Sequence, residues 1–192
     1  TVPAGVVMVA LLPVLRRPFP PKAWRLTAVV GVLQLCGFAG LTSAALVVGG
    51  AGHTAMLANT WQFWLLLIAW IFLGETIRGG QWVSVALGLV GLVLIIEPWA
   101  LRGVLSSLLA LAGALCFAAG AIVVKILRRR HKVDLFSLSA WQTLFGSLPL
   151  LVIALLVPGD GIEWNATLIW SLIYCAFISA ALGNLLWLFI LN

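Results

Sequence analysis

Charged side chains are scarce in this sequence: 8% of its 192 residues, with only five acidic residues and two histidines. Soluble domains carry about a quarter of their residues as Asp, Glu, Lys and Arg, so an ordinary water-exposed surface is excluded. Catalysis is excluded on similar grounds. An enzyme needs a nucleophile with its base, a metal set or a carboxylate pair. His53 and His131 are expected on opposite faces of the molecule, and neither has an acidic partner at depth. Cysteine is almost as rare. Cys36, Cys116 and Cys175 fall inside separate apolar stretches, which suits small packing residues rather than a disulfide or a metal set. No enzymatic activity, no metal and no cofactor are expected.

What the sequence has in abundance is apolar surface, 64% of its residues. A chain of this length cannot bury that much against itself, so part of it faces lipid. A helix crossing about 30 Å of hydrocarbon needs roughly 20 mostly apolar residues. Such stretches lie near 1–15, 26–48, 53–74, 80–97, 103–127, 135–157 and 166–191. Breakers separate them: Pro18, Pro20 and Pro21; Gly49, Gly50 and Gly52; Gly79 and Gly80; Pro98; Pro158, Gly159 and Gly161. Backbone that leaves a helix must meet water or protein, so these clusters mark membrane surfaces. The expectation is an all-α, polytopic transmembrane helix bundle with about seven spans.

The net charge of +6 follows the same plan. Arg16, Arg17, Lys22, Arg25, Arg78, Lys125, Arg128, Arg129, Arg130 and Lys132 fall on the loops of one side, and only Arg102 falls on the other. Glu97, Asp160 and Glu163 share the side of Arg102. The positive-inside rule makes the first side cytoplasmic, with the Thr1 end outside and the Asn192 end inside. The basic residues thus report topology, and nucleic acid is excluded as a partner. Trp24, Trp82, Trp99 and Trp164 cluster near the expected interfaces, as amphipathic rings prefer.

Polar side chains at membrane depth are costly and face the bundle interior or a watery cavity. The candidates are Gln34, Asn59, Thr60, Gln62, Gln142 and Asn184. Asn59 and Gln62 are three apart, so they share a helix face, with Trp61 beside them. Such a face suits a polar or zwitterionic solute; the competing role is interhelical hydrogen bonding, worth about 0.6 kcal/mol. His53 opens its helix at the outer end, where it is either a proton-linked gate or a plain helix-end polar residue. No Asp, Glu, Lys or Arg lies near the centre of any span, so a carboxylate proton relay is not expected in this part of the protein. Small residues recur four apart at Cys36, Gly40 and Ala44, at Ala110, Ala114 and Ala118, and at Ala112, Cys116 and Gly120. That spacing lets helix backbones approach closely in lipid.

Residues 45–98 carry an ordered set of features: Ala45-Leu46 closing one span, a helix ending on Leu73-Gly74-Glu75, and a short turn. Gln81-Trp82 then opens a helix containing Gly88 and Gly91, which ends at Glu97-Pro98. A second such stretch is AWQTLFGSLPL at 140–150. The set resembles the EamA family of the drug/metabolite transporter superfamily. The resemblance implies a ten-helix fold of two five-helix repeats in opposite orientation, with 1–99 in the first repeat and 100–192 in the second. Helices one, nine and ten would then lie beyond this sequence. In the family a proline usually precedes the Phe-Trp pair, where this chain has Gln62 before Phe63 and Trp64.

The resemblance implies an alternating-access transporter, most simply an exporter of small metabolites such as amino acids, in a bacterial inner membrane. Its expected partners are the lipid bilayer and a small-molecule substrate, and a homodimer is compatible with it. Gln34, Asn59, Trp61, Gln62, Gln142 and Asn184 are the pathway candidates, and Gly74, Glu75, Gln81, Gly88 and Gly91 are expected to be structural. The alternative is a non-transporting structural or receptor-like membrane protein. A retinal protein fails, because it needs a lysine in its last helix and the final one here is Lys132.

Overall fold

The computed structural model describes residues 5–6, 8–10, 23–74, 76, 79–96, 103–130, 134–156 and 165–174. All regular structure among them is helical. Helix α1 (Trp24–Gly31) runs through a π-helical segment (Val32–Gly37) into α2 (Phe38–Gly49). Then follow α3 (Ala51–Ala58), α4 (Trp61–Leu73), α5 (Gly79–Ile96), α6 (Val104–Arg130), α7 (Leu135–Leu156) and α8 (Ala166–Ile173).

The seven expected spans are corrected by this arrangement. Four helical stretches among the described residues are long and apolar enough to cross a membrane: Trp24–Gly49, Ala51–Leu73, Val104–Arg129 and Ser137–Leu156. They answer to the stretches expected near 26–48, 53–74, 103–127 and 135–157. The stretch near 80–97 yields a shorter apolar helix, Gly79–Leu94. The stretch near 166–191 yields the eight-residue α8, and most of 1–15 and 175–191 lies outside the described residues. An apolar run gives composition, whereas spanning also needs helical structure of sufficient length.

The chain forms two compact units, Thr1–Val32 with Leu127–Asn192, and Leu33–Ile126. In the first, α1 packs on α7. Gly31 is buried, and a Cβ there would overlap the Gln142 carbonyl and stand 2.9 Å from the Gly146 nitrogen. The missing side chain is what lets the two backbones meet. Gly5 makes a similar approach, 3.1 Å from the Leu144 backbone. Met8 and Ala140 form a small core with Val9 and Trp141 against it. Helix α7 starts on an Asp134 cap, whose Oδ1 accepts the Ser137 N–H at 2.9 Å,.

In the second unit α2 and α6 run antiparallel. Gly113 sits against Thr42 and Phe38, Gly120 against Gln34 and Leu33, and Gly49 against Ser106. Ser106 Oγ, fully buried, donates across to the Ala45 carbonyl at 3.0 Å. Ala110, Ala114 and Ala118 are fully buried, so this expected small-residue stripe is a packing face. The stripe at Cys36, Gly40 and Ala44 is half-buried to exposed, and Ala45 is the residue buried in its place. Ala45, Leu57, Leu92 and Ala110 form the core, with Trp64, Leu109 and Leu111 around it.

Helices α4 and α5 form a hairpin. Leu73 ends α4, and Gly74 takes φ 63°, the left-handed conformation that glycine adopts without strain,. Trp70 and Trp82 stack edge-on across the two helices at 5.3 Å, and both rings are largely exposed. Trp70 thus joins Trp82 near the Gly74 end of the hairpin.

Candidate functional site

The span Ala51–Leu73 is broken in its middle. Helix α3 stops at Ala58, a turn occupies Asn59 and Thr60, and α4 begins at Trp61. Two polar side chains make the break. Asn59 Nδ2 donates to the Ala55 carbonyl at 2.8 Å, and Thr60 Oγ1 donates to the Leu57 carbonyl at 2.6 Å. The backbone tightens here as well, with Thr60 N bonded to Leu57 O and Phe63 N to Thr60 O, each three residues apart. Side chains that enter the helical hydrogen-bond ladder bend or interrupt it. The chain therefore breaks this helix without the proline that Gln62 replaces.

The break sets the neighbouring side chains. Asn59 and Gln62 are both exposed, and the amide of Asn59 is closed on its own helix. Trp61 is half-buried, its ring 4.7 Å from that of Phe117 on α6, and Phe117 also meets Phe38 at 5.0 Å. Gln34 lies half-buried in the π-helical segment, over Gly120, where a Cβ would stand 2.5 Å from its Cγ. Gln142 is half-buried in the other compact unit, its carbonyl against Gly31. His53 is half-buried in the first turn of α3. Asn184 and Glu75 lie outside the described residues.

The glycines of the α4–α5 hairpin divide by role. Gly74 forms the turn, and Gly88 receives the Phe63 ring, 3.2 Å from where a Cβ would stand. Gly91, one turn on, has no atom within 4 Å of that position. Gln81 is exposed in the first turn of α5.

Two polar groups were not singled out from the sequence, the hydroxyls of Thr54 and Ser106. Ser106 bridges two helices. Thr54 Oγ1 and Trp64 Nε1 are buried and have no hydrogen-bond partner. Threonine and serine are ordinary constituents of an apolar span, so nothing in composition marked them. Among the described residues no group of three or more His, Cys, Asp or Glu is placed to hold a metal ion.

The EamA-like transporter family matches the chain at residues 1–97 and 104–192. The chain is 28% identical over 148 residues to a protein of Escherichia coli (strain K12) named "Probable amino-acid metabolite efflux pump", covering 71% of this chain and 49% of that protein. It is 26% identical over 206 residues to an uncharacterized transporter of Synechocystis sp., covering 95% of this chain and 61% of that protein. An uncharacterized transporter of Bacillus subtilis (strain 168) is 26% identical over 182 residues, 93% of this chain and 59% of its own length. The chain thus spans about half the length of the curated relatives it matches first, 49%. No solved structure matches it. With long apolar helices and a family match over nearly all of its residues, the chain belongs to the EamA-like transporter family, whose members are transporters rather than enzymes.

Proposed function

We propose that this protein moves small metabolites, amino acids or related compounds, outward across a bacterial inner membrane by alternating access. The observation that carries the reading is the family match at 1–97 and 104–192, borne on helices able to cross a membrane. The name of the E. coli relative, "Probable amino-acid metabolite efflux pump", supports the solute class. The two matched stretches support a tandem organisation, 1–99 followed by 100–192. The clustering of basic residues supports a cytoplasmic placement of Arg78 and of the run from Lys125 to Lys132, with the turn at Gly50 on the outer side.

The pathway candidates are Gln34, Asn59, Trp61, Gln62, Gln142 and Asn184, with His53 as a gate. The break at Asn59 and Thr60 supports the placing of Asn59, Trp61 and Gln62 on the pathway, because irregular backbone at membrane depth is tolerated where it lines a cavity or is buried in protein. The test is counterflow of radiolabelled L-amino acids in vesicles reconstituted with the protein in its full length. At least one amino acid is expected to exchange well above empty vesicles, and Asn59→Leu with Gln62→Leu is expected to lower that exchange several-fold. Absence of exchange for every amino acid refutes the solute class, and unchanged exchange in the double variant removes Asn59 and Gln62 from the pathway.

A further inference from the structure

Helix α1 has two faces that ask for different neighbours. Thr27, Val30 and Gly31 are buried, and α1 packs on α7. Arg25, Val29 and Val32, at successive steps of four and three, share the other face, and all three are exposed,. Just before them stands Trp24, also exposed, with the Arg25 guanidinium 5.5 Å from the centre of its ring. The outward face of α1 therefore reads as a cation braced on an indole, with two apolar side chains further along the helix. Acyl chains alone would satisfy the valines but not the guanidinium.

Arg25 stands where the helix itself disfavours a cation. The N-terminal end of a helix carries partial positive charge, and the first turn of α1 has no acidic residue. Among the described residues Asp134 is the only carboxylate, and its Oδ1 caps α7 at the Ser137 N–H. The guanidinium lies over the Trp24 ring, which steadies it,. Its planar fork of N–H donors matches the oxygens of a phosphate.

More positive charge lies at the same end of this compact unit. Gly31, seven residues into α1, meets Gln142, seven residues into α7. Both helices follow basic stretches, which puts their starts on one side of the membrane, so the two starts are level. Arg128 lies seven residues before α7, exposed in the last turn of α6. A soluble phosphate would leave Val29 and Val32 unused, and an uncharged lipid would leave Arg25 unanswered. A phospholipid of net negative charge meets both needs. We infer that the outward face of α1 binds an anionic phospholipid of the cytoplasmic leaflet, its phosphate on Arg25 and an acyl chain along Val29 and Val32. Such a site does not depend on which solute the protein moves.

The test measures binding of phosphatidylglycerol and of phosphatidylcholine, matched in acyl chains, to the full-length protein by native mass spectrometry from detergent. Wild type is expected to hold phosphatidylglycerol about fivefold more tightly, the worth of one basic residue beside an anionic lipid. Arg25→Gln should remove about that much affinity for phosphatidylglycerol and leave phosphatidylcholine unchanged, and Arg25→Lys should restore it. Val29→Ser with Val32→Ser should weaken both lipids alike. Equal affinity of wild type for the two lipids, or an Arg25→Gln variant that keeps the wild-type preference, would overturn the inference while leaving the transport reading intact. Glycerol phosphate displacing phosphatidylglycerol as readily as the lipid itself does would overturn the lipid assignment in favour of a free phosphate.

Discussion

Gly31 offers a sharp test of the packing, because its neighbours are backbone and cannot swing aside. A Cβ there would overlap the Gln142 carbonyl oxygen and stand 2.9 Å from the Gly146 nitrogen. Gly31→Ala therefore forces α1 and α7 apart, and overpacking of this kind costs about 1–3 kcal/mol. Alanine returns up to about 1 kcal/mol of helix propensity, so the net loss is about 0–2 kcal/mol. Two other glycines calibrate the comparison. Gly120→Ala meets the Gln34 Cγ at 2.5 Å, but that side chain is flexible, so clash and propensity nearly cancel. Gly91→Ala meets nothing within 4 Å and should gain up to about 1 kcal/mol. The expected order of stability is Gly91→Ala, then Gly120→Ala, then Gly31→Ala, with about 1–3 kcal/mol between the ends, the propensity gain being common to both. Reversible unfolding of the purified protein in mixed micelles, titrated with a denaturing detergent, resolves a spread of that size. A Gly31→Ala variant as stable as Gly91→Ala would show that α1 and α7 do not approach through this glycine.

Ser106→Ala should cost about 0.6–2 kcal/mol in the same titration, since it removes the buried hydroxyl that bonds Ala45 across α2 and α6,; no measurable loss would mean that this bond does not help hold the two helices. A double-mutant cycle on Trp61 and Phe117, whose rings are 4.7 Å apart, should give a coupling of about 0.5–1.5 kcal/mol. A coupling near zero would place the Trp61 ring elsewhere.

Helix existence was legible in the sequence and helix continuity was not. Four of the apolar stretches became helices long enough to cross a membrane, because length and hydrophobicity are both written in the residues. The stretch near 80–97 shows the limit. Its composition matched the others, yet it gave the shorter apolar helix Gly79–Leu94. The π-helical segment Val32–Gly37 and the break at Asn59 and Thr60 were not legible either: Gln34, Asn59 and Thr60 mark polarity there, but no proline marks a change in helix geometry. Packing faces were half legible. Spacing shows which small residues allow a close approach, and the partner decides which are used. Ala110, Ala114 and Ala118 are fully buried, whereas Cys36, Gly40 and Ala44 are half-buried to exposed and Ala45 is buried in their place.

The polar residues carry the harder lesson. Membrane depth made Asn59 a strong candidate, because an amide in hydrocarbon needs a partner. Its partner is the Ala55 carbonyl, and the need ends within one turn of its own helix. Thr60 answers its need in the same way at Leu57. Thr54, four residues earlier than Ala58 and unremarkable in composition, is the hydroxyl left buried and unmet. A polar residue therefore points to a solute only after its local carbonyls have been counted. Threonine and serine usually satisfy themselves at the carbonyl three or four residues back, so an exception to that habit says more than the mere presence of polarity.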